Sequence, residues 1–214
     1  MRTRVGWLLL YALASAVCAA PDVSPAGRVL EQALDRYDLD AHWQAGSRVD
    51  WASGVALGPS RHPGATHCSA FAAAVAQDFG VYLLHPPEHG VRLLANAQSD
   101  WLPTPAARAA GWHSVAGAAS AQDAANRGWL VLAVYRNPRD DRPGHIAIVR
   151  PGRKDDAQLA SEGPDVIQAG RENARRIALA RGFAGHPAAW RRHEVAFYAH
   201  VLALAPVEDP ARSP

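Results

Sequence analysis

Between Ala70 and Phe79 the apolar positions Phe71, Val75 and Phe79 recur every four residues, the period of one helix face, with alanines filling most of the other positions. The spacing predicts a helix that opens at Thr66-His67-Cys68 and stops at Gly80. An earlier stretch reads the same way. Ser24 suits an N-cap, Pro25 the first helical position, and Val29, Leu30, Ala33, Leu34 and Tyr37 form the apolar stripe. Asp38 to Pro63 is mixed, anchored by Trp43, Val49, Trp51, Val55 and Leu57, and the Gly58–Gly64 cluster reads as a loop. A short helix is expected over Val91–Trp101, ended by Pro103 and Pro105, and another from Ser120-Ala121-Gln122-Asp123, with a capping-box look, to Gly128.

After Gly128 the period changes. Trp129–Tyr135 is almost wholly apolar, which predicts a strand interior to a sheet. Asn137–Gly144, rich in Asp, Arg and Pro, reads as a turn. His145–Arg150 is then a second strand, in an antiparallel hairpin with the first. Gly163–Gly170 holds a third, short strand, Arg171–Arg181 reads as a basic-faced helix ended by Gly182, and Glu194–His200 is a last strand. Helices followed by an antiparallel sheet define an α+β class. No internal repeat or low-complexity linker interrupts residues 21–205, which are expected to form a single domain, with 206–214 as a flexible tail.

Composition changes the picture mainly at the N-terminus. A chain of 214 residues, 49% hydrophobic and 20% charged, is of ordinary globular type. Residues 1–20 stand apart: Arg2 and Arg4 precede an apolar run from Val5 to Val17, and Cys18-Ala19-Ala20 are small residues before Pro21. That is the plan of a secretory signal peptide, and the run is too short to span a bilayer comfortably. Val17 puts a branched residue where lipid attachment at Cys18 wants a small one, so the expected location is periplasmic or secreted, with cleavage near Ala20. Loss of Arg2 and Arg4 takes the formal charge from 22 − 20 = +2 to zero, which removes any global electrostatic case for nucleic acid. It also takes the cysteine count from two to one, leaving Cys68 as a free thiol in an oxidising compartment.

Such a thiol points to chemistry. At the first turn of a helix, Cys68 lies beside unpaired N–H groups and the positive end of the helix dipole, both of which favour thiolate. A nucleophilic cysteine needs a base within reach and a third group to orient it. His145, opening a strand directly after Pro143-Gly144, is the candidate base. Gln168, near the end of the next strand, has an amide oxygen that can accept from imidazole N–H. The Cys68 N–H would contribute to an oxyanion hole. None of this needs a metal or an organic cofactor. His62, His85, His89 and His113 lack metal-ligand spacing and read as surface or loop residues. His67 reads as a solvated loop residue with a role in tuning Cys68 as the alternative, and His186, His193 and His200 read as structural. Arg171, Arg175, Arg176 and Arg181 read as a solvated face, with binding of an acidic ligand as the alternative.

Taken together, His67-Cys68-Ser69-Ala70-Phe71, the helix to Gly80-Val81, Gly128-Trp129-Leu130-Val131, Gly144-His145-Ile146-Ala147-Ile148-Val149 and Val166-Ile167-Gln168-Ala169 resemble the NlpC/P60 cysteine peptidases. The resemblance covers about residues 63–170. It implies a papain-like fold, with helices packed on a small antiparallel sheet and the cysteine at a helix N-terminus. It also implies cleavage of an amide bond in peptidoglycan stem peptides by Cys68, His145 and Gln168. His67 stands where the family usually has an acidic residue, and Gln168 where it more often has His or Asn. Alternatives from other classes are a non-catalytic relative that binds the cell wall or a partner, and a papain-like acyltransferase or hydrolase of another amide or ester. An effector role would bring an immunity or regulatory protein as partner.

Overall fold

The computed structural model describes residues 21–62 and 64–204. The signal-peptide segment, Cys18 and the expected 206–214 tail lie outside the described residues. The chain is mixed α+β, with helices packed about an antiparallel sheet. It begins with α1 (Pro25–Asp35), capped as its sequence predicts: the Ser24 side chain accepts from the Gly27 N–H, and Pro25 occupies the first turn. A hairpin of β1 (Ser47–Val49) and β2 (Ala56–Pro59) follows, then α2 (Cys68–Asp78), α3 (Leu94–Trp101) and α4 (Pro105–Ala109). The chain continues through β3 (Trp112–Val115), α5 (Gly117–Asn126), β4 (Leu130–Tyr135) and β5 (His145–Val149). It ends with α6 (Asp156–Glu162), β6 (Asp165–Ala169), β7 (Asn173–Ala178), α7 (Leu179–Gly182), α8 (Pro187–Arg191) and β8 (Ala196–His200).

Six strands form one sheet in the order β3-β8-β4-β5-β6-β7, every recorded neighbour antiparallel. β4 is buried along its whole length, which is why its sequence is apolar without alternation. Alternate residues then sort the two faces. Leu130, Leu132, Val134, Ile146, Ile148, Ile167 and Ala169 join α1, α2 and Trp43 in one core. Val131, Ala133, Tyr135, Ala147, Val149 and Val166 join α5, α7 and α8 in another. The helix α2 is enclosed rather than amphipathic: Cys68 to Ala76 are all buried, so the four-residue stripe of large side chains is only its bulkier side. The hairpin side of the same core needs one glycine. Gly54 has φ +73, and a Cβ there would lie 2.3 Å from the Trp43 ring.

Three expectations are corrected. The segment 171–181 is no helix but β7, which pairs with β6, followed by the single turn of α7. Strand pairing and ion pairs outweigh its helical propensity: Arg175 lies against Asp38 and Asp40, and Arg176 against Glu31 and Asp165. The capping box expected at Ser120 is absent there. α5 starts three residues earlier, at Gly117, behind Ala116, which offers no side-chain cap. Such a box is formed instead at α6, between Asp155 and Gln158. Pro105 does not end a helix but opens α4, with Thr104 as its cap.

Candidate active site

The middle of the sheet presents the candidate residues. β4 and β5 pair along five positions, with Tyr135 opposite His145. β5 and β6 pair only at Ile148–Ile167 and Val149–Val166. Continuing that register places Gly170 opposite His145 and Ala147 opposite Gln168, so His145 and Gln168 are diagonal neighbours on one face. On the far side of β6, Arg175 and Arg176 together oppose Ile167, a bulge beside the position that presents Gln168.

His145 and Gln168 meet as expected, 2.8 Å apart between Nε2 and Oε1. Their polarity follows from the neighbours. The Gln168 Nε2 donates to the Glu172 carbonyl at 3.0 Å, which turns Oε1 toward the ring. An amide oxygen accepts, so His145 carries its proton on Nε2 and keeps a lone pair on Nδ1. Two glycines make room for this pair. A Cβ on Gly182 would lie 2.7 Å from Gln168 Oε1, and one on Gly170 3.2 Å from His145 Cε1. Aromatic side chains surround the ring: Phe183 edge-on at 4.5 Å between centroids, and His186 at 6.4 Å. His186 in turn lies against Tyr135 at 4.7 Å.

Cys68 is the first residue of α2, as its sequence predicts, and is 5% exposed. The backbone N–H groups of Ile146, Ser69 and Cys68 itself and the Thr66 side chain pull its pKa down, toward thiolate. Burial acts the other way and is larger, so the thiol lies above its ordinary range. This corrects the expectation from the helix dipole: the terminal N–H groups are there, but desolvation outweighs them. Thr66 carried no signal that marked it beforehand. A hydroxyl two residues before a cysteine is common, and only the fold turns it toward the sulfur.

Sulfur and ring reach the start of β5 from different sides. Cys68 packs in the core of Ile146 and Ile148, whereas His145 alternates with Ala147 and Val149 and rests on Phe183. Among the described residues the one side-chain hydrogen bond of His145 is that to Gln168, and none joins it to Cys68. The resting pair is therefore a neutral thiol and a neutral imidazole, since burial also lowers the His145 pKa against the opposing pull of Gln168. His67 ties the hairpin to the start of α2: its Nε2–H donates to the Ser47 carbonyl at 3.0 Å.

His67, His145 and His186 are all held below the ordinary imidazole range, with burial the largest cause in each. Their folded forms bind fewer protons than the unfolded chain once pH falls below about 6.5. Their contribution to stability is complete above that pH and is lost as pH drops. The urea midpoint is expected to be lower at pH 5.0 than at pH 7.5, and His145→Gln should narrow that difference.

Among the described residues no group of three or more His, Cys, Asp or Glu is placed to hold a metal ion. No described helix is long and apolar enough to cross a membrane. No protein-family model matches this chain, and no curated protein matches it either.

Proposed function

We propose that this protein is a thiol hydrolase of papain-like type, in which Cys68 is the nucleophile, His145 the base and then the acid, and Gln168 the group that holds the ring. The observation that supports the reading is the Gln168-oriented imidazole, its Nδ1 left free to accept a proton, at the start of the strand whose Ile146 packs in one core with Cys68. In this mechanism His145 Nδ1 takes the thiol proton as sulfur attacks the substrate carbonyl, and the Cys68 N–H binds the developing oxyanion. The protonated ring then gives its proton to the departing amine, leaving a thioester on Cys68. Water, deprotonated by His145, cleaves the thioester and restores thiol and imidazole. Because the thiol and the ring reach the start of β5 from different sides and, among the described residues, no hydrogen bond joins them, this mechanism requires the two to be brought together around that strand end before proton transfer.

The resemblance to NlpC/P60 peptidases supports an amide of peptidoglycan stem peptides as substrate and an exported protein as its setting. One experiment tests both halves. Purified sacculi are incubated with the protein and with Cys68→Ala, and released fragments are identified by mass spectrometry. New stem-peptide termini from the unsubstituted protein alone are expected, and equal release by Cys68→Ala would end the thiol mechanism. The burial of Cys68 favours a second reading, a wall- or partner-binding relative with an inert thiol. Binding of sacculi without release of any fragment by either protein would favour that reading.

A further inference from the structure

The helix α3 joins the two candidate segments. It packs against α2 and against both β4 and β5. Its two buried amides divide between them, since residues two apart on a helix lie about 200° apart around it. Asn96 faces the turn that leads into His145. Its Nδ2 donates to the Arg142 carbonyl at 2.9 Å and its Oδ1 accepts from the Asn137 N–H at 3.2 Å, so one side chain spans both ends of that turn. Gly144, the residue before His145, lies directly against it: a Cβ there would be 2.7 Å from Asn96 Oδ1. Asp100, one helical turn further on, pairs with Arg136 on the same side. Gln98 faces the other way. Its Nε2 donates to the Ser69 carbonyl, in the first turn of α2, at 3.0 Å and to the Leu84 carbonyl at 2.9 Å. Gln98 is fully buried, and its Oε1 has no donor among the described residues. A methionine would fill the same space without an unpaired oxygen, so packing alone does not call for the amide.

We propose that α3 is a strut that sets the Cys68 end of α2 against the turn delivering His145, and that Asn96 and Gln98 are its positioning residues. Gln98 acts through the Ser69 carbonyl, one residue past the sulfur, and Asn96 through the two ends of the 137–144 turn. A buried amide with an unpaired oxygen costs stability and in return fixes which elements meet. That the two ends carry a nucleophile and a base rests on the hydrolase reading above. The strut itself does not.

Two measurements on the folded full-length protein separate positioning from mere support. The first is the rate of fragment release from sacculi by Gln98→Met, under conditions where a urea titration shows it fully folded. Its urea midpoint should move little, because one unpaired oxygen is lost while the Leu84 carbonyl loses its donor. The rate per folded molecule should fall about tenfold, well within what a displacement of about 1 Å can cost. A residue that only supports the fold would leave that rate unchanged. Asn96→Asp keeps the acceptor for Asn137 and loses the donor to Arg142, whereas Asn96→Leu loses both and should lose more of the rate.

The second measurement needs no substrate. Spin labels at Gln77→Cys on α2 and Arg139→Cys in the turn, both exposed positions, report the distance between the two ends by electron double resonance, with Cys18→Ser and Cys68→Ser removing the native thiols. Gln98→Met and Asn96→Leu should each shift or broaden that distance by about 1 Å or more, the displacement such a loss of rate requires. A distance unmoved by both variants overturns the strut, and so does an unchanged rate in both when fully folded. Should Gln98→Met fail to fold, Asn96→Asp, whose side chain keeps its size, carries both measurements. Sacculi left uncut by the unsubstituted protein would remove the hydrolase reading, and the distance alone would then decide the strut.

Discussion

Replacing His145 by Ala is expected to lower the rate of fragment release from sacculi by about a thousandfold, within the range lost when a positioned general base is removed. The effect has two parts. In the proposed mechanism the imidazole is the acceptor of the thiol proton, which burial otherwise holds on sulfur, and the donor to the leaving amine, so the variant would lose both roles. Gln168→Ala should act through His145 and cost less, about tenfold to a hundredfold. The variant frees the ring to place its proton on Nδ1, the atom that must accept. A merely structural Gln168 would lower stability and leave the pH–rate profile in place. A positioning Gln168 moves the profile, because the Gln168 acceptor raises the His145 pKa and its loss lets burial take it lower. Gly182→Ala gives an independent check. Its methyl group would press on Gln168 Oε1 without removing any polar atom, and the rate should fall in the same direction as for Gln168→Ala.

Phe71→Ala should be the most destabilising of the substitutions considered, by about 3–5 kcal/mol, the usual cost of emptying a buried aromatic site. Phe71 is 1% exposed and meets Tyr37 edge-on at 5.4 Å and Trp43 at 5.1 Å between centroids. It thus joins α2 to the end of the α1 segment and to the hairpin side of the core. These contacts leave little slack for the cavity to collapse, since Trp43 is also wedged against Gly54. Thermal unfolding followed by circular dichroism should show the midpoint about 10 °C lower, given the few degrees per kcal/mol expected at this chain length. Phe71→Leu, which refills most of the volume, should recover a large part of that loss. A Phe71→Ala protein that unfolds within a degree or two of the unsubstituted one would show that α2 is not anchored by this cluster.

Where local chemistry decides conformation, the sequence is readable. Ser24 and Pro25 place the start of α1 because their cap and ring act within one turn. Cys68 opens α2, and the unbroken apolar run of β4, a polar turn and the run beginning at His145 mark a hairpin. The same reading places His145 at a strand start and Gln168 on the following strand, which is enough to expect their contact. Signals that depend on remote partners fail. In 171–181 the helical propensity of Ala-Leu-Ala-Arg is realised only from Leu179, as the single turn of α7; over Asn173–Ala178 β6 supplies a ladder and Glu31, Asp38, Asp40 and Asp165 supply counter-charges that no local window contains. α3 and α5 were visible as helices from spacing, yet their first residues were not, because neither has a side-chain cap to mark it.

By itself, then, the sequence determined the α+β class, the helix that begins at the cysteine, the central hairpin, and the order of Cys68, His145 and Gln168 along the chain, since each rests on periods and caps spanning a few residues. Only the tertiary structure decided that β8 inserts between β3 and β4, and that Phe183 and His186 come from distant turns to surround the ring. It alone decided that thiol and imidazole reach β5 from different sides of the sheet. It also reversed the sign of the shift at Cys68. A helix N-terminus is a local feature that favours thiolate wherever it occurs. How much water remains around the sulfur depends on every element packed against it, and here those elements exclude nearly all of it.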